Sequence, residues 1–258
     1  MGAVRQDAWL RRYHPTDARA ELVCFPHAGG AAGFWRPLSA AVHPSLDVRA
    51  VQYPGRQDRY REPPVADLHR LADLIADALE AGPPPSGPRV FLGHSMGASL
   101  AHEVALRLSG TGRHGPVALI VSGRRAPSRL GAGARLDTDE ALIARVRSLG
   151  GTDPAVLADP DLLDLVLPAL RGDYAALAGY VPSGVLLTCP VVALTGDDDP
   201  EAPPEDVRAW SEHTTGPFEL RVLTGGHFCL NDHLPAVAEL AVALSAAAPA
   251  HGRAVGPS

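Results

Sequence analysis

The segment Gly93-His94-Ser95-Met96-Gly97 follows the apolar run Val90–Leu92 and leads into a stretch of helical period. A G-x-S-x-G string in that strand-turn-helix setting puts a serine hydroxyl on a tight turn, where it serves as a nucleophile. Glycines flank the serine because side chains there would collide across the turn, and the strained backbone pushes the hydroxyl into the open. A serine hydroxyl is a weak nucleophile until a histidine takes its proton, and the histidine must be oriented by an acid. In this setting acid and base follow the serine in chain order. The run Val191–Leu194 is followed by Thr195-Gly196-Asp197-Asp198-Asp199-Pro200, and Leu220–Leu223 by Thr224-Gly225-Gly226-His227-Phe228. His227 is preferred as base over His213, which precedes the last strand, and over His233, which lies further into the next helical region. Asp199, at the end of its turn, is favoured as the acid, with Asp198 the alternative and the idle aspartates left as turn-forming side chains. A tetrahedral intermediate also needs backbone N–H donors. Met96, after the serine, supplies one; the glycine-rich turn Pro26-His27-Ala28-Gly29-Gly30 supplies the other, from Ala28 or alternatively Gly29. His27 is read as structural, since the site already has a base.

These residues must be positioned by regular elements. Six short apolar runs read as strands: Leu22–Phe25, Val48–Tyr53, Val90–Leu92, Val117–Val121, Val191–Leu194 and Leu220–Leu223. Between them, Leu68, Leu71, Leu74, Ile75, Ala78 and Leu79 share one helical face, and Leu100, Val104, Ala105 and Leu108 another. Alternating strands and helices predict an α/β chain with a mostly parallel sheet covered on both faces. The alternation breaks between Arg125 and Gly184, where Asp139–Leu149 and Asp161–Tyr180 look helical and Gly150-Gly151 and Pro154 punctuate them. The expected organisation is a core of residues 1–124 and 185–250, a helical lid over residues 125–184, and a flexible tail over residues 251–258.

Composition narrows the chemistry. All 23 basic residues are arginine, which removes phosphate-loop, Schiff-base and Ser-Lys mechanisms, because each needs a lysine amine. With 29 acidic residues and a net charge of −6, nucleic acid is not an expected partner. No apolar signal core opens the chain and no run reaches the roughly 18 apolar residues of a membrane span, so a cytoplasmic protein without membrane attachment is expected. Cys24, Cys189 and Cys229 lack metal spacing and sit in or beside apolar runs, as buried thiols do.

Taken together, Cys24-Phe25-Pro26-His27-Ala28-Gly29-Gly30, Gln52-Tyr53-Pro54-Gly55-Arg56, Gly93-His94-Ser95-Met96-Gly97, Ser122-Gly123-Arg124-Arg125-Ala126-Pro127 and Gly225-Gly226-His227-Phe228 resemble the type II, external editing thioesterases of polyketide and nonribosomal peptide synthases. That family lies in the α/β-hydrolase superfamily, and the likeness runs from about Trp9 to Ala248. The resemblance implies Ser95 as nucleophile, His227 as base, Asp199 as orienting acid, Ala28 and Met96 as oxyanion donors, and a mobile lid over an acyl pocket. It implies short or aberrant acyl groups on the phosphopantetheine arm of an acyl or peptidyl carrier protein as substrate. No cofactor or metal is expected, the pantetheine belonging to the substrate, and a monomer is expected. Two arginine clusters, Arg124, Arg125, Arg129 and Arg135, and Arg56, Arg59 and Arg61, follow strands at the edge of the entrance, and one of them is expected to receive the carrier protein or its phosphate. Rival readings are a small-molecule esterase, a chain-releasing thioesterase, and a binding protein that has lost catalysis on the same fold. The releasing enzymes sometimes take their acid after an earlier strand, and Gly123-Arg124-Arg125 offers none after Val117–Val121. A dehalogenase or epoxide hydrolase would need an aspartate in place of Ser95.

Overall fold

A computed structural model describes residues 6–109, 115–131, 136, 138–151 and 154–247. A short helix α1 (Gln6–Trp9) runs into β1 (Leu10–Arg11), followed by β2 (Glu21–Phe25), α2 (Arg36–Val42), β3 (Asp47–Val51), α3 (Leu68–Glu80), β4 (Arg89–His94), α4 (Met96–Ser109) and β5 (Ala118–Ser122). Then come α5 (Asp139–Leu149), α6 (Pro154–Ala158), α7 (Pro160–Ala178), β6 (Val191–Gly196), α8 (Pro204–Arg208), β7 (Phe218–Leu223) and α9 (Leu234–Ala246). The sheet order is β1-β3-β2-β4-β5-β6-β7, parallel throughout except for β1, which pairs antiparallel with β3. This is the mostly parallel sheet that the alternation of strands and helices predicts, with an edge strand added that is too short to leave a pattern.

The strands are apolar on both faces because helices cover both. Along β2, Val23 and Phe25 enter one core layer with Leu71, Ile75 and Leu100, while Leu22 and Cys24 enter the other with Trp35, Leu38 and Leu240. The same period-two division runs through β4, β5 and β6. Helix α3 begins at Asp67, whose carboxylate accepts the Arg70 N–H at 2.8 Å. Its Leu68, Leu71, Ile75 and Leu79 face the sheet, as their spacing predicts. Chain order reverses between β2 and β4, since β3 lies outside β2 on one side and β4 joins it on the other. Loops leaving the C-terminal ends of β2 and β4 therefore open a crevice, which is where such sheets bind ligands.

Between β5 and β6 the chain forms α5, α6 and α7 and no described strand. Thr138 caps α5, and Gly150 ends it in the left-handed conformation at φ 77°. Helix α7 carries Pro168 inside it. Val146, Leu157 and Leu170 make a small separate apolar cluster among these helices, with Tyr174 packed against it. Arg135 and residues 251–258 lie outside the described residues.

Candidate active site

Ser95 sits between β4 and α4 at φ 54°, a strained value for a residue with a side chain, and its N–H donates to the Ser122 carbonyl at 2.8 Å. The two flanking glycines are steric necessities. A Cβ on Gly93 would lie 2.1 Å from the Gly97 carbonyl oxygen, and one on Gly97 would lie 2.0 Å from that of Phe25. The turn thus wedges between its own helix and β2.

Asp199 and His227 reach the same edge from the ends of β6 and β7. The His227 Nδ1 lies 2.9 Å from Asp199 Oδ2 and 3.1 Å from Oδ1, and both side chains are buried. The Nδ1–H donates to the carboxylate, so Nε2 is left as the proton acceptor. Asp199 Oδ1 also accepts the Glu201 N–H at 2.9 Å, which fixes the carboxylate's direction. The competing aspartates have other tasks: Asp197 accepts the Gly225 N–H at 2.8 Å and joins the two loops, and Asp198 is exposed. His213 is remote from the site, its Nε2 accepting the Ser128 N–H and its ring beside Trp210. His233 contacts the Thr224 carbonyl.

Ser95 and His227 line one pocket with His27, Ala28, Val146, Leu149, Gly151, Tyr174 and Phe228. It is partly open to solvent and walled mainly by apolar side chains, three of them from the helices between β5 and β6. Two further imidazoles stand around His227. The His94 ring centroid is 5.1 Å from that of His227, and His27 is 6.0 Å from His94, with Phe34 and Phe228 filling the gaps. Burial, then the nearby His227 and Arg56, push His27 down to about 3. Burial, with His227 and His27 beside it, holds His94 well below the usual imidazole range. Both are neutral at physiological pH.

The turn after β2 is held at nearly every polar group. Pro26 accepts from the Tyr53 hydroxyl at 3.0 Å, His27 C=O accepts the Gly30 N–H at 2.9 Å, and Gly30 C=O accepts from Arg56 at 3.0 Å. The Gly29 N–H donates to Asp173 at 2.7 Å. Gly29 is therefore committed elsewhere, whereas the Ala28 N–H has no protein acceptor among the described residues. Met96 opens α4, where the N–H lacks an intrahelical partner.

The arginine clusters need correction. Arg56 and Arg59 are buried, the first paired with Asp173 at 2.7 Å and the second with Glu62 at 2.6 Å. Only Arg61 of that group is exposed. In the other group Arg124 is half-buried and bonds Ser99, Arg125 faces Asp206, and Arg129 pairs with Glu212. Their apparent clustering in sequence does not make a free basic surface, because most of these guanidiniums already serve the fold. Cys24 and Cys229 are buried and Cys189 partly so, all three as free thiols. Among the described residues no helix is long and apolar enough to cross a membrane.

The Thioesterase domain family model matches residues 20–243. The chain belongs to the thioesterase family. This thioesterase is 50% identical over 233 residues to thioesterase PikA5 of Streptomyces venezuelae, covering 87% of this chain and 80% of that one. It is 52% identical over 241 residues to a probable cadicidin biosynthesis thioesterase of Streptomyces griseus, covering 92% of this chain and 66%, just under two thirds, of that one. Among solved structures, the type II thioesterase BorB from the borrelidin biosynthetic cluster matches with a TM-score of 0.85 and 46% identity, covering 92% of this chain and 98% of that one. The type II relationship read from the five sequence motifs and the α/β-hydrolase fold both hold.

Proposed function

We propose that the protein edits a polyketide or nonribosomal peptide synthase by hydrolysing short or aberrant acyl groups from the phosphopantetheine arm of its carrier proteins. The observation that carries this reading is the 2.9 Å His227–Asp199 pair in the pocket that Ser95 and Ala28 line. Ser95 Oγ attacks the thioester carbonyl while His227 Nε2 takes the hydroxyl proton, and Asp199 stays ionised beside the imidazolium. The oxyanion receives the Ala28 and Met96 N–H groups. The C–S bond then breaks and the pantetheine sulfur leaves with the proton from His227. A thiol of pKa ~8.5 needs little help to depart, which suits a thioester better than an amide. Water next attacks the acyl-serine, His227 accepting its proton and returning it to Ser95 as the carboxylic acid leaves. The small apolar pocket between Val146, Leu149, Tyr174 and Phe228 supports a short acyl group over a full-length product chain. The nucleophile, base, acid and oxyanion donors are groups of the chain, and the pantetheine enters with the substrate.

The test compares acetyl- and propionyl-carrier protein, the matching acyl-CoA and a p-nitrophenyl ester, with wild type and Ser95→Ala. Editing predicts highest kcat/KM on the carrier-bound thioester and loss of that activity in Ser95→Ala. Equal efficiency on the simple ester would favour a general esterase, and full activity in Ser95→Ala would overturn the mechanism.

A further inference from the structure

Asp173 and Arg56 form a buried fork against the turn that follows β2. Arg56 donates to Asp173 through both terminal nitrogens, at 2.7 and 2.8 Å, with both side chains almost wholly buried. Asp173 lies on α7, in the helical segment between β5 and β6, whereas Arg56 follows β3 in the core. The same Asp173 oxygen that faces Arg56 accepts the Gly29 N–H at 2.7 Å, and the same Arg56 nitrogen donates to the Gly30 carbonyl at 3.0 Å. The pair thus holds both ends of the Gly29-Gly30 dipeptide that follows Ala28, the N–H at one end and the C=O at the other. Leu170, one turn earlier on α7, lies against the same place: a Cβ on Gly29 would be 2.4 Å from its Cδ2.

An ion pair that merely fastened α7 would need no contact with this turn. Here the carboxylate sets the orientation of the 28–29 peptide, directly after the Ala28 N–H. Resting on the catalytic reading above, we infer that Asp173 and Arg56 are positioning residues for the oxyanion donor, so that α7 supplies part of the acyl-transfer machinery besides walling the pocket. The inner half of α7 is further secured where Tyr180, just past its end, donates to the buried Glu103 of α4 at 2.8 Å. Its outer half, beyond Pro168, carries the exposed Leu162 and Leu165. Entry of substrate by displacement of the outer half leaves the donor in place; displacement of the inner half dismantles it.

Removing one charge of a buried pair destabilises the chain, so the test removes both. Arg56→Met/Asp173→Asn keeps an oxygen for the Gly29 N–H, whereas Arg56→Met/Asp173→Leu does not. With both folded by circular dichroism, the Leu double variant is expected to lose about 50-fold or more in kcat relative to the Asn one, with KM within about threefold, as for a misplaced oxyanion donor. Its affinity for a short alkyl boronic acid, which forms a tetrahedral adduct on serine, should fall in parallel. Equal kcat in the two double variants overturns the inference. Should either fail to fold, Arg56→Lys, which keeps the charge but not the fork, is expected to lower kcat about tenfold at unchanged KM, and an unaltered kcat overturns the inference. The catalytic reading fails separately, if wild type lacks thioesterase activity or Ser95→Ala retains it.

Discussion

Asp198 and Asp199 are neighbours of identical type, yet only one can orient His227. Asp199 is buried, bonded to the imidazole and held by the Glu201 N–H, while Asp198 faces solvent. Asp199→Asn is therefore expected to lower kcat on an acyl-carrier substrate by about 10³–10⁴, since the amide favours the wrong imidazole tautomer, and Asp198→Asn to stay within about twofold. Steady-state kinetics of the two purified variants decide the assignment. At Gly97 the cost is steric: Gly97→Ala puts a methyl 2.0 Å from a carbonyl oxygen of β2, and urea denaturation should show a loss of at least about 2 kcal/mol alongside lost activity. Ser95 and His227 were legible from sequence because their turns follow apolar runs and carry obligatory glycines. The aspartate that pairs with His227 was less so, because spacing cannot distinguish three consecutive aspartates; hydrogen bonds do. Asp173 was not legible at all, being 117 residues from Arg56 on an ordinary helical face. Arg56 was misread as surface charge for the same reason, its carboxylate partner coming from a distant element.

The strands and the helices α3 and α4 between them follow from period and punctuation, with strand bounds that differ from the sequence reading by up to two residues, several of them at charged ends. Strand β2 begins at Glu21 rather than Leu22, and β4 at Arg89 rather than Val90. Hydropathy excludes such residues from a buried strand, but here they neutralise one another across the sheet. Arg89 Nε donates to Glu21 at 2.9 Å, and Arg49 of β3 pairs with the other Glu21 oxygen at 2.7 Å, at the opposite edge from the site. Glu21→Gln takes the buried carboxylate from Arg89, while Arg49 keeps the buried Asp47 at 3.5 Å, so denaturant unfolding should show a loss of about 3 kcal/mol. The folded fraction should keep kcat, because β2 still delivers its C-terminal turn. Loss of kcat in fully folded Glu21→Gln would mean that strain at one end of the sheet reaches the other. The edge strand β1, at Leu10–Arg11, escaped sequence reading because two residues cannot show a period, and α2 did because its seven residues include Pro37.

Across the whole molecule, several histidines are folded in as neutral rings, which makes acid stability a property of the core rather than of the net charge of −6. Burial lowers His27 to about 3 and His102 to about 4, and holds His94 well below its ordinary value of 6.5. When the unfolded chain protonates near 6.5 while the folded chain does not, the unfolded state binds more protons and stability falls as pH drops. For His27 the window runs from 6.5 down to about 3, and for His102 down to about 4. Between pH 7 and pH 5, before most carboxylates titrate, each ring that stays neutral removes about 2 kcal/mol of stability. His102 is the cleanest probe, since it lies on α4 against Trp210 and His213, away from Ser95, and neither ring nitrogen has a hydrogen-bond partner among the described residues. His102→Phe keeps a flat ring in that slot and deletes the titrating group. Its unfolding free energy, measured by urea at pH 7 and pH 5, should drop by about 2 kcal/mol less than that of wild type, whatever its absolute stability. Parallel pH curves for the two proteins would show that His102 charges without unfolding, and that the core admits a proton at a cost that burial alone does not predict.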